Sequence, residues 1–77
     1  MALDYTQLLT DDQKRSILNQ RITNFAADAY ANEINKKSAE ANGDVALADD
    51  AQKNIEILEK AIEVHQIELG ALAEPTV

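Results

Sequence analysis

A chain of 77 residues with a formal charge of −7 and no cysteine has room for one small domain, with neither disulfides nor thiolate zinc sites to reinforce it. Its acidic balance excludes a surface built for nucleic-acid phosphates, which demands an excess of lysine and arginine. The start, "MALDYTQLL", lacks a signal-peptide pattern, and no run approaches the ~18 consecutive apolar residues of a membrane span, so a soluble, cytoplasmic protein is expected.

In chain order, the head (residues 1–9) predicts one short turn of helix, with Asp4 as its cap and Gln7 three residues on. Thr10 and Gln13 then form the S/T-x-x-E/Q capping box, and Asp11 and Asp12 sit where the helix dipole favours negative charge. A first long helix is predicted over 11–41. It stops at Asn42-Gly43, where glycine can adopt the left-handed conformation that closes a helix. Asp44 offers an N-cap for a second helix over 44–69, which Gly70 and later Pro75 end, leaving 70–77 as a tail. A connection this short forces the arms to run antiparallel. The predicted fold is all-α, a single helical-hairpin domain with arms of roughly 35–45 Å.

The apolar spacing predicts what each arm touches. In the second arm Ile55, Leu58, Ile62, His65 and Leu69 continue a three-four repeat begun at Ala48 and Ala51; Leu72 joins only if the helix passes Gly70. In the first arm Leu18, Ile22, Phe25 and Ala29 form the matching stripe. Together they make the intrachain seam, and counting back from Gly43 sets His65 near Arg21, Ile22 and Leu18. Tyr30, Ile34, Ile57, Ala61, Val64 and Ile67 lie off that seam and are surplus to a hairpin. They are the predicted surface for a second copy or another protein. A dimer forming a four-helix bundle is the simplest closed solution.

Catalytic and metal-binding signatures are absent from the sequence. The helical carboxylate-bridged metal site requires Glu three residues before His, and that position is Ile62. "NGDVALADD" lacks the D-x-[DN]-x-[DN]-G calcium spacing, and helix capping accounts for Asn42, Gly43 and Asp44. No serine sits in a nucleophile setting and there is no glycine-rich loop. The reading is therefore a protein without catalytic residues, cofactor or metal. Glu56, Glu59 and Glu63 form an acidic ridge in the arm that carries most of the charge imbalance: seven acids from Asp44 to Leu69 against Lys53 and Lys60. Such a ridge is ordinarily a solvated helix face, with Glu56–Lys60 and Asp49–Lys53 as supporting i,i+4 pairs; its functional reading is electrostatic docking to a basic partner.

"LDYTQLLTDDQKRSILNQRI", "FAADAYANEIN" and "ILEKAIEVHQIEL" together resemble the short helical proteins of tailed phages infecting marine cyanobacteria. The resemblance spans nearly the whole chain. It implies a phage-encoded protein in the host cytoplasm or the virion, acting as a structural, assembly or adaptor component, with inhibition of a host protein as the alternative.

Overall fold

The computed structural model describes residues 5–72. A 3₁₀ turn over Tyr5–Gln7 leads into α1 (Asp11–Ala41), which is joined by a tight turn to α2 (Val45–Ala71). The described residues form an all-α antiparallel hairpin, as the short connection between two helices predicts. The predicted Asp4 cap and Pro75 lie outside the described residues.

Local chemistry sets each boundary. Thr10 Oγ1 accepts from the Gln13 amide at 3.1 Å while Gln13 Oε1 accepts from the Thr10 amide at 2.8 Å, so two of the donors a helix start leaves unpaired are satisfied reciprocally. At the other end of α1 the Gly43 amide donates to Glu40 O at 3.1 Å and the Asp44 amide to Ala39 O at 2.8 Å. These two bonds define a Schellman motif, which needs the left-handed backbone that Gly43 supplies at φ 71°. Asp44 also opens α2, its carboxylate accepting from the Leu47 amide at 3.1 Å. One residue thus closes the first helix with its backbone and starts the second with its side chain.

The second helix does not stop where the sequence predicts. It passes through Gly70 and ends at Ala71, with the Leu72 amide returning to Leu69 O at 3.2 Å. Glycine inside a helix costs about 1 kcal/mol relative to alanine. Leu69 and Leu72 are half-buried, and Leu72 shares a hollow with Leu9, Ile17 and Leu18; that burial offsets the glycine.

The seam residues Leu18, Ile22, Phe25 and Ala29 of α1 and Ile55, Leu58, Ile62, His65 and Leu69 of α2 are all half-buried. Full burial among the described residues is confined to Ala39, Ala48 and Ala51, beside the turn. Alanine there lets the backbones approach closely, but three alanines contribute little apolar area. The Cα trace is only 14 Å deep in its thinnest direction, so among the described residues the hairpin is a single layer of helices with no second layer to close over the seam.

Candidate interaction site

Cross-hairpin contacts fix the register. Arg21 Nε donates to His65 Nε2 at 2.9 Å, Asn54 Nδ2 to Asn32 Oδ1 at 3.3 Å, and Lys36 Nζ to Gln52 Oε1 at 2.7 Å. A guanidinium only donates, so Nε2 is the unprotonated ring nitrogen, and Nδ1–H donates to Ala61 O at 2.6 Å. Phe25 meets the imidazole edge-on with centroids 5.0 Å apart, and the Arg21 guanidinium lies 5.3 Å from the Phe25 centroid. The predicted neighbour Arg21 is therefore in place, and Phe25 is the aromatic contact that spacing alone did not single out. Both ring nitrogens are engaged within the hairpin. Among the described residues no group of three or more His, Asp or Glu side chains is gathered to hold a metal ion, and no helix is long and apolar enough to cross a membrane.

Two helices in one layer leave two broad faces and two outer edges. Grooves between the helices identify what lines each face. On one face a groove of about 400 Å³ near the turn is lined by Asn32, Asn35, Ser38 and Asn42 of α1 and its cap and by Leu47, Asp50 and Asn54 of α2. It leads to a second groove lined by Asp28, Ala31, Ile57 and Leu58, and the hollow at the open end lies among Ile17, Leu18, Glu68 and Leu72. Helical phase adds Asn24, seven residues before Ala31, and Ala61, seven after Asn54. We call this the amide face.

The opposite face has a groove lined by Ala29, Glu33, Lys36, Gln52, Ile55 and Glu59. Glu56 and Glu63 lie four residues beyond Gln52 and Glu59, so the whole predicted ridge belongs here. Two of its three carboxylates are tied into local pairs: Gln52 Nε2 donates to Glu56 at 3.3 Å and Lys60 reaches Glu63 at 3.7 Å. Lys60 thus pairs with Glu63 rather than with Glu56, the i,i+4 partner that sequence spacing suggests. Lys37–Glu33, at 3.4 Å, and Arg15–Asp12 are further exposed pairs on α1. Exposed pairs of this kind stabilise by at most about 1 kcal/mol. This is the acidic face.

The six predicted partner residues do not share one surface. Ile57 and Ala61 flank the amide face, and Ala61 is half-buried rather than open. Val64, 56% exposed, lies at the outer edge of α2 bordering that face, whereas Ile67, 63% exposed, points away from the seam. Ile34 occupies the outer edge of α1, on the far side of the hairpin from Val64, and Tyr30, four residues after Ala26 and three before Glu33, borders the acidic face. A single partner on one broad face cannot cover all six. Sequence reasoning missed the amide row. Its signal was present: Asn24, Asn35 and Asn54 lie on the same rotational side of the seam as Ile17 and Ile57.

Comparison of the chain with protein-family models, curated proteins and solved structures gives no match. Function must be argued from these two faces.

Proposed function

We propose that this hairpin is a non-enzymatic structural or assembly component whose task is association with copies of itself and, as an adaptor, with another protein. One observation carries the reading: only three alanines are fully buried, while nine large apolar side chains among the described residues are exposed. Area supports it. A compact monomer of 8.5 kDa exposes about 4,650 Å². This chain exposes 6043 Å², more than a compact monomer of its mass. The resemblance to phage proteins sets this proposed association in host cytoplasm or a virion. Light scattering during gel filtration at micromolar concentration tests the reading. The expected mass is at least twice 8.5 kDa, and a well-folded monomer would refute it.

A second reading rests on the acidic face, where Glu56, Glu59 and Glu63 stand together and exposed: the protein inhibits a partner by covering a basic surface. Long-range attraction speeds encounter and is screened beyond about 8–10 Å at physiological ionic strength. Strong salt dependence of partner capture supports inhibition, and salt-indifferent tight binding removes it.

A further inference from the structure

We infer that the amide face is where a second copy docks, two hairpins meeting through it in an isologous four-helix bundle with both acidic faces outward. The inference rests on the self-association reading above and assigns it a surface.

Two observations select this face, and a third shows that it is large enough. The first is charge. Twofold docking brings each face against itself, so the row Glu56, Glu59 and Glu63 would meet either its own copy or the Glu33 side of the partner's first helix across a desolvated interface, an accumulation of like charge that costs stability. The amide face presents Asn24, Asn35 and Asn54, all exposed, and its carboxylates, Asp28, Asp50 and Glu68, are spread along its length rather than set in one row, with Lys14 in the hollow beside Glu68. An amide carries both donors and an acceptor, so it can pair with a copy of itself, whereas a carboxylate cannot. Buried asparagines in helical bundles also fix register and the number of chains.

The second is apolar content, which on the acidic side is limited among large exposed side chains to Tyr30 and Val45, seven residues before Gln52. Ile17, Leu47 and Ile57, respectively 45%, 58% and 66% exposed, line the grooves of the amide face at the open end, the turn and the middle. Ala31 and Ala61 between them are small enough to let facing helices approach. The third is size. A face about 40 Å long and two helices, or ~20 Å, wide presents about 800 Å², the contribution expected of each partner in a standard dimer.

The test compares substitutions on the two faces. Ala31→Glu combined with Ala61→Glu introduces charge into the amide face, and Ala26→Glu, seven residues before Glu33, introduces it into the acidic one. Light scattering should give a dimer for the parent and for Ala26→Glu. The double variant should have half that mass, with helical circular dichroism retained. As a second readout independent of the charge variants, a nitroxide attached at Asn35→Cys should become immobilised as concentration rises through dimer formation, while one at Glu59→Cys stays mobile, each labelled protein first shown to keep its helical circular dichroism. A dimer that survives the double variant, or that immobilises only the Glu59 label, overturns the inference and leaves self-association standing. A monomeric parent overturns both.

Discussion

The two faces of this hairpin are built from the same helices and differ by a rotation of roughly 90–180° about each. The grooves of one are lined mainly by amides and small or aliphatic side chains, with Asp28 and Asp50 among them, and the groove of the other by Glu33, Glu59, Lys36 and Gln52. Ionic side chains remain solvated on the acidic face, so its exposure costs little. Exposed isoleucine and leucine on the amide face forgo roughly 25 cal/mol for each Å² left in water. In a single-layer fold the seam can satisfy only one stripe per helix, and the difference between faces decides which remaining stripe gains by being covered.

A charge scan around α2 gives the largest expected effect. Ile57→Glu should weaken self-association at least tenfold, equivalent to about 1.4 kcal/mol. Val64→Glu, at the border, should weaken it less, and Ile67→Glu should leave it unchanged. Sedimentation equilibrium measures all three, and an equal response at the three positions would erase the distinction between faces. Gly43→Ala serves as the faceless control. The space around its Cβ is open, but φ is +71°, so the substitution should destabilise the fold by about 1–2 kcal/mol. Thermal melts should fall accordingly, with no selective loss of the dimer once stability is matched.

Replacing Glu56, Glu59 and Glu63 with Gln should change folding stability by no more than about 0.5 kcal/mol, as exposed surface positions generally do. Dimer mass should be unaltered. Capture of a basic partner would become slower at low salt under the inhibitor reading and stay the same under the assembly reading. The smallest effect is spectroscopic: long-range proton–nitrogen correlation of the neutral His65 ring should show Nδ1 protonated and Nε2 bare, as the Arg21 donor requires. The opposite tautomer would mean that the Arg21–His65 contact linking the helices is misplaced.

Sequence made the helices and their turn legible because caps and periodicity are local. Thr10 with Gln13, Gly43, and Asp44 each act within a few residues, and the turn position then fixes which residues face each other, Arg21 and His65 included. What lay beyond reach depended on tertiary context. Gly70 continues the helix because Leu72 has a hollow shared with Leu9 and Leu18 to fill. Tyr30, Ile34, Ile57 and Val64 were all legible as off-seam, but whether they share a surface depends on how both helices are turned about the seam. That sorting separates Tyr30 and Ile34 from Ile57, and brings Asn24, Asn35 and Asn54 forward in their place.

Methyl NMR of the parent with a soluble paramagnetic probe, at concentrations where the oligomer forms, tests the central claim most directly. The account predicts that Ile17, Ala31, Leu47 and Ile57 become shielded from the probe while Ala26, Val45 and Ile67 stay fully broadened. Shielding of Ala26 and Val45 with Ile57 and Ala31 left open, or uniform broadening of both sets, would contradict it.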